Sequence, residues 1–162
     1  MQLAGFQALL DHLAACWTRR DYPAAAAHFT PDIRYADPLR YAFHGREELL
    51  AFFTADDGLP QRTAWHAVLF DEARQLGAAE YSYEGTSRYH GVALIRLHEG
   101  HISHWREYQH VDPRSWEEFS AATAGLDRAG LRVGLFRPIS LYPFPARELA
   151  AIADRVGNVL SV

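Results

Sequence analysis

The feature that most constrains the fold is a run of alternating polar and apolar residues between positions 63 and 110. β-Branched and aromatic side chains recur at every second position in four segments, and turn-forming residues separate them. The last break, at Glu99–Gly100, has the length of a tight hairpin turn. The pattern predicts four consecutive antiparallel strands, over residues 63–71, 77–85, 89–98 and 101–110.

The residues before this run have a helical period. Apolar side chains recur every three or four positions over about residues 3–18, which predicts an amphipathic helix. Asp21 and Pro23 are typical of the start of a second helix, and a third is expected from 46 to about 55. A short extended piece over 33–36 lies between them. Helices followed by an antiparallel sheet predict an α+β fold.

The end of the chain has a different pattern. Ser115 and Glu118 have the spacing of a capping box, which predicts the start of a further helix. We therefore expect a main domain over 1–125 and, over 126–162, a linker and a strand–helix–strand appendage. Because so short a unit buries no core alone, we expect it to dock on the main domain or on a partner. Its elements are predicted over 131–137, 146–156 and 159–162.

The composition excludes several chemistries. Lysine is absent, so all sixteen basic side chains are arginine. A chain without lysine has no side-chain amine for a Schiff base or for pyridoxal phosphate, and it lacks the lysine of a phosphate-binding loop. The net charge is -4 and no basic patch is evident. Nucleic acid is therefore not expected as a partner.

Metal and membrane sites are not expected either. Cys16 is the single cysteine, which excludes an internal disulfide and a cysteine-rich metal site, so we expect it to be buried and inert. Strand alternation puts His101 and His104 on opposite faces, which argues against metal ligation there. No apolar run approaches the roughly 20 residues of a membrane span. With no signal-peptide pattern, a soluble cytoplasmic protein without metal or cofactor is expected.

Three stretches resemble the NTF2-like superfamily, which includes the SnoaL-like proteins. They are HFTPDIRYADP (28–38), FHGREELLAFF (43–53) and EYSYEGTSRYHGVALIRLHEGHISHWREYQH (80–110). The resemblance covers residues 6 to about 119. It implies a cystatin-like cone, in which a strongly curved antiparallel sheet wraps on helices and leaves one mouth. It also implies a homodimer through the outer sheet face, on which His104, Arg106 and Tyr108 are expected.

One enzyme of this superfamily, ketosteroid isomerase, has an Asp–Pro step whose aspartate is the general base. Asp37–Pro38 matches that step. The positions that correspond to its two proton donors fall near Leu13 and Ala93, and neither side chain can donate a proton. The resemblance therefore supports a base at Asp37 without the rest of that mechanism.

A second enzyme, limonene epoxide hydrolase, ends in a motif similar to GHISHWREY (100–108). This similarity places Glu107 where that enzyme has its water-activating aspartate. Tyr81 and Tyr83 stand where its arginine and second aspartate lie. The resemblance implies an acid–base role for Glu107 without the full relay.

Strand alternation and the resemblance together predict a pocket with aromatic walls and one inner carboxylate. Such a cavity suits a small, mostly apolar molecule. Burial raises the pKa of a carboxyl, which makes it a usable acid or base near neutral pH. Glu107 and Asp37, the latter at the mouth, are the catalytic candidates. The predicted pocket residues are Tyr81, Tyr83, Trp105, Gln109, Ala93 and Ile95, with His66 and His90 in the pocket or at its rim.

Two classes of function remain open. In the first, Glu107 or Asp37 moves a proton or activates water while the tyrosines orient the substrate, as in a cofactor-independent isomerase, cyclase or hydrolase. In the second, the chain is a non-catalytic ligand-binding or oligomerisation module. Glu107 is then paired with an arginine, and the tyrosines belong to the core.

The last 33 residues, GLRVGLFRPISLYPFPARELAAIADRVGNVLSV (130–162), resemble a fragment of the α subunit of 2-oxoacid:ferredoxin oxidoreductases. The similarity is specific at RPISLYPFP (137–145). No thiamine-binding residues, coenzyme A site or cluster cysteines accompany it, and one cysteine cannot hold an iron–sulfur cluster. The activity of those enzymes is therefore not implied.

Overall fold

The computed structural model describes residues 1–118. The chain divides into two units, Met1–Ala129 and Gly130–Val162, and the described residues all belong to the first. The predicted linker, the strand–helix–strand appendage and its oxidoreductase resemblance lie outside the described residues. Of the helix predicted after Ser115, the first turn is described, and it has the expected capping box. The Glu118 side chain accepts a hydrogen bond from the Ser115 amide at 3.2 Å.

The described residues form helices packed on one curved sheet, as expected for an α+β cone. The sheet has six strands in the order β2-β1-β6-β5-β4-β3, and all neighbours are antiparallel except β1 and β6. The four strands predicted from alternation are confirmed to within one residue at each end. The elements are α1 (Leu3–Arg19), α2 (Tyr22–Ala27), β1 (Phe29–Asp37), β2 (Tyr41–His44), α3 (Arg46–Thr54), β3 (Arg62–Asp71), β4 (Leu76–Glu84), β5 (Arg88–His98) and β6 (His101–Val111).

Helix α1 forms the floor of the core. Its apolar face includes Phe6, Leu10 and Leu13, which are fully buried. Burying a side chain of this kind contributes about 1.5–3 kcal/mol. Helix α2 begins where Asp21 accepts a hydrogen bond from the Ala24 amide at 3.2 Å, as its sequence predicts. In residues 1–118 no helix has the length and apolar character that crossing a bilayer requires.

A β-bulge at Ser103 corrects one prediction from alternation. Arg96 pairs with His104 while Leu97 pairs with Ile102, so β6 contains one extra residue there. Strict alternation would put Ile102 on the same outer face as His104, but the bulge leaves Ile102 fully buried. His101 and His104 are both exposed rather than on opposite faces. From Trp105 onward the strand has the predicted alternation.

Candidate functional site

A cavity of about 510 Å³ opens between the helices and the concave face of the sheet. Its walls come from all three described helices and all six strands, and its mouth lies between the loop after α3 and the β4–β5 turn. More than half of the lining residues are aromatic, so the interior is apolar with a few fixed polar groups. The lining residues are Trp17, Tyr22, Tyr35, Tyr41, Phe52, Phe53, Ala55, Asp56, Asp57, Gln61, Thr63, Trp65, Tyr81, Tyr83, Gly85, Thr86, Ser87, Tyr89, Trp105, Glu107 and Gln109.

Glu107 is the inner carboxyl group of this cavity. It lies in the middle of β6 and only 3% of it is exposed. One oxygen, Oε1, accepts a hydrogen bond from the Tyr41 hydroxyl at 2.5 Å. The other, Oε2, accepts from the Tyr81 hydroxyl at 2.8 Å and from Trp105 Nε1 at 3.0 Å. Every donor is neutral, and in the described part of the chain no cationic side chain forms an ion pair with Glu107.

Burial determines the acidity of this group. Desolvation raises the pKa of Glu107, and the hydrogen bonds from Tyr41, Trp105 and Tyr81 oppose that rise without cancelling it. Burial and the nearby Glu107 carboxylate also raise the pKa values of Tyr41 and Tyr81 well above their ordinary value. Burial raises the pKa of Tyr83 to about 12. The phenols therefore remain donors near neutral pH, and Glu107 is the group suited to exchange a proton.

The structure brings five of the predicted site residues together. Tyr81, Tyr83, Trp105, Glu107 and Gln109 all line the cavity. They are linked as well as adjacent, because the Gln109 amide donates to the Tyr81 hydroxyl at 2.8 Å and so orients it toward Glu107.

Some of the lining was not predicted from sequence. Tyr41 is the most important omission, since it donates the shortest hydrogen bond to Glu107. It lies in β2, whose four residues alternate in burial but are too few for the alternation to predict a strand from sequence. Trp65 and Tyr35 were also missed. Alternation within β3 and β1 could have placed them on the concave face.

Three predicted residues lie beside the cavity rather than in its lining. Ala93 and Ile95 are on the concave face as expected, but both are fully buried in the hydrophobic core. Asp37 is buried at the end of β1, where its carboxylate accepts a hydrogen bond from the Leu39 amide at 2.9 Å. It also lies 3.9 Å from Arg40 Nε. The Asp37 carboxylate therefore shapes the β1–β2 turn and does not contact the cavity.

His66 and His90 lie on the other face of the sheet. Both contact Ser82, with His66 Nε2 at 2.6 Å and His90 Nδ1 at 3.2 Å from its hydroxyl oxygen. Ser82 alternates with Tyr81 and Tyr83, so its side chain points away from the cavity. His90 Nε2 also lies 3.5 Å from Asp112 Oδ2. Strand parity therefore corrects the prediction of these histidines as pocket or rim residues, since His66 follows Trp65 and His90 pairs with Ser82.

One group of possible metal ligands occurs among the described residues. His12, Cys16 and His28 have ligand atoms within 4.8 Å of one another, at the junction of α1 with the end of α2. His12 Nδ1 and His28 Nε2 are 2.9 Å apart, which satisfies one nitrogen of each ring. Cys16 is fully buried, as expected, and burial raises its thiol pKa. The group is separate from the cavity, because none of the three residues lines it.

Two aspartates stand at the mouth of the cavity. Asp56 accepts a hydrogen bond from the Tyr22 hydroxyl and lies 3.3 Å from Arg20 Nε. Asp57 accepts from the Thr86 hydroxyl at 2.5 Å, which links the loop after α3 to the β4–β5 turn. The mouth is therefore acidic and is closed on one side by this hydrogen bond.

Residues 10–105 match the sequence model of the SnoaL-like domain. No curated protein sequence is similar enough to count as a match. A protein of unknown function with a cystatin-like fold from Methylobium petroleophilum is 16% identical, with a TM-score of 0.61, over 86% of this chain and 99% of that one. An NTF-2 like protein of unknown function from Burkholderia xenovorans is 17% identical, with a TM-score of 0.60, over 81% and 97%. An LEH-like epoxide hydrolase from M. tuberculosis is 12% identical, with a TM-score of 0.55, over 76% and 94%.

Proposed function

We propose that this chain, which belongs to the SnoaL-like domain family, binds a small, mostly apolar molecule and uses Glu107 as an acid–base catalyst. One observation carries the proposal. A buried carboxyl group, held by neutral donors alone, faces an aromatic cavity large enough for a small organic molecule. Burial raises the pKa of Glu107 toward the range in which a carboxyl both accepts and returns a proton.

Tyr41 and Tyr81 can stabilise the negative charge on both sides of the proton transfer. As a carboxylate, Glu107 accepts hydrogen bonds from Tyr41 and Tyr81. When it removes a proton from a substrate C–H next to a carbonyl, the electron pair moves to the carbonyl oxygen. Protonated Glu107 then accepts hydrogen bonds less strongly, and the two phenols are free to donate to the developing oxyanion. Return of the proton to another carbon completes an isomerisation.

Hydrolysis is the related alternative within the same site. Glu107 would remove a proton from water, which attacks an epoxide carbon while a phenol donates to the departing oxygen. The LEH-like epoxide hydrolase of similar fold supports including this reaction. Both reactions need the same carboxylate and no cofactor.

A non-catalytic binding protein is the second candidate, and one observation favours it. Both oxygens of Glu107 already have hydrogen-bond donors, which is also how a structural buried carboxylate is satisfied. In that case the Glu107 cluster fixes the shape of the cavity, and the ligand leaves unchanged.

Substitution of Glu107 separates the two candidates. The substrates are a panel of cyclic ketones, followed by exchange of their α-hydrogens with D2O in NMR spectra, and styrene oxide, followed by diol formation. We expect Glu107→Gln to lower the rate of whichever of these reactions the wild type catalyses by about 100-fold or more. The affinity for these neutral ligands should change little, because the amide has the shape of the carboxylate but cannot act as a base. Glu80→Gln is the matched control, since Glu80 is exposed on β4 outside the cavity. A wild-type protein that binds panel members without turnover, or a fully active Glu107→Gln, would support the non-catalytic candidate.

A further inference from the structure

The charged side chains of the described residues that line the cavity are all acidic. Its lining contains three carboxylates, Glu107 inside and Asp56 and Asp57 at the mouth. The described lining residues include no arginine and no histidine, and the sequence has no lysine. Because Arg20 pairs with Asp56, the carboxylates that an anionic ligand would meet without a counter-charge in the described part of the chain are Asp57 at the mouth and Glu107 inside.

Two arginines do not line the cavity themselves but contact residues that do. Arg20 pairs with Asp56. Arg40 lies 3.9 Å from Asp37 and its guanidinium stacks on the Tyr89 ring, 5.0 Å from the centroid. Of the three carboxylates in the lining, Glu107 and Asp57 have no ion-pair partner among residues 1–118.

Neutral donors orient the Glu107 carboxylate but do not cancel its charge. Tyr41, Tyr81 and Trp105 supply hydrogen bonds, and a buried charge without a counter-ion still carries a desolvation cost. A ligand cation is the group that would remove this cost.

The walls suit a cation as well. Trp65 meets Tyr81 and Trp105 at interplanar angles of 66° and 64°, so the rings form a corner rather than a stack. Aromatic faces attract organic cations, and most strongly where water is excluded. An aromatic box with a carboxylate on its floor is thus complementary to a hydrophobic ammonium group.

We infer that the ligand of this cavity is a hydrophobic amine in its protonated form, with its aromatic or aliphatic body against the rings and its ammonium group directed at Glu107. The inference rests on the small-molecule binding in the proposed function, in its non-catalytic form, because an ammonium group paired with Glu107 would lower the pKa of that carboxyl and occupy the base. It adds a charge requirement that small-molecule binding alone does not impose.

Three naphthalene probes that differ in one group test it: 2-(1-naphthyl)ethylamine, protonated at pH 7, 2-(1-naphthyl)ethanol and 3-(1-naphthyl)propanoate. Isothermal titration calorimetry on the full chain gives the three affinities. We expect the amine to bind at least about tenfold more tightly than the alcohol, and the carboxylate to bind weakest. In Glu107→Gln the amine and the alcohol should bind within about threefold of each other. Glu80→Gln should keep the wild-type preference.

The outcomes separate this inference from the proposed function. Equal affinities in the wild type, or tighter binding of the alcohol, overturn the amine inference and leave small-molecule binding intact. A preference for the amine that survives in Glu107→Gln overturns Glu107 as the anchor. If Glu107→Gln binds the alcohol, its cavity is folded. If it does not, the ratio of amine affinity to alcohol affinity in the wild type alone tests the inference. If none of the three probes binds, small-molecule binding itself is contradicted, and the amine inference with it.

Discussion

At the scale of the residue, the raised pKa of Glu107 follows from its burial. Burial of this group lowers the free energy of unfolding, because the desolvated carboxylate has hydrogen bonds but no counter-ion among the described residues. Sites of this kind commonly give up folding free energy for function. The pH dependence of stability should therefore show the position of Glu107.

We predict that Glu107→Gln becomes more stable relative to wild type as the pH rises. A carboxyl whose pKa is raised on folding stabilises the fold below its unfolded value, ordinarily 4.5, and this contribution is lost as the pH rises through the folded pKa. The variant has no such group, so its stability relative to wild type should increase between pH 5 and pH 8. Urea denaturation at both values measures it. A constant difference, or a like effect in Glu80→Gln, contradicts the prediction.

The residues of the site differ in how far the sequence predicts them. Glu107 and Tyr81 were predicted because each lies in a long strand, where alternation assigns a face and the family resemblance says which face is concave. Tyr41 was not predicted, because only the pairing of β2 with β1 brings its hydroxyl oxygen to 2.5 Å from Glu107 Oε1. Asp37 matched a family motif, yet its carboxylate is engaged by the Leu39 amide and lies near Arg40. A motif fixes a residue's position in the strand but not its hydrogen-bond partners.

At the scale of the element, register explains both the accurate and the wrong predictions. The period of two is regular in β4, β5 and most of β6, so these strands could be located from sequence alone. A bulge adds one residue and reverses every face that follows it. The bulge at Ser103 has no strong sequence signal, and it accounts for the burial of Ile102.

The pairing of β4 with β5 also positions Tyr81. Gly91 lies directly opposite Tyr81, and a Cβ atom built on it would be 2.7 Å from Tyr81 Cζ and 2.8 Å from its hydroxyl oxygen. The ring therefore crosses over Gly91 to reach Glu107. Any larger residue at position 91 must move the ring.

We predict that Gly91→Ala displaces Tyr81 and breaks its 2.8 Å hydrogen bond to Glu107. The expected cost is about 1–3 kcal/mol in folding free energy, together with weaker binding of any probe that binds the wild type. Denaturation and calorimetry measure the two effects. In a Tyr81→Phe background the added loss of affinity should be small, because the hydrogen bond is already gone. Gly5→Ala in α1 is the control, since its nearest neighbour is the flexible Met1 side chain at 3.1 Å.

At the scale of the whole molecule, the outer face of the sheet is the surface with the clearest role still to test. His104, Arg106 and Tyr108 are exposed there, as expected from alternation and the resemblance. A row of paired positions crosses the same face through Leu69, Ala78 and Leu94 to Arg106. Leu69 is 69% exposed. Apolar side chains grouped on an open sheet face are typical of a protein–protein interface.

We predict a homodimer through this face, in which each copy buries the Leu94 row against its partner. A two-fold axis brings the same residues together from both copies, so one charge at position 94 is introduced twice into the interface. Leu94→Glu should therefore shift the protein to monomer at concentrations where the wild type is dimeric, as measured by light scattering after size exclusion. Leu39→Glu makes the same change at a residue that is 92% exposed in the β1–β2 turn, away from this row, and should remain dimeric. A monomeric wild type, or a Leu94→Glu variant that dimerises as well as Leu39→Glu, would exclude this face as the interface.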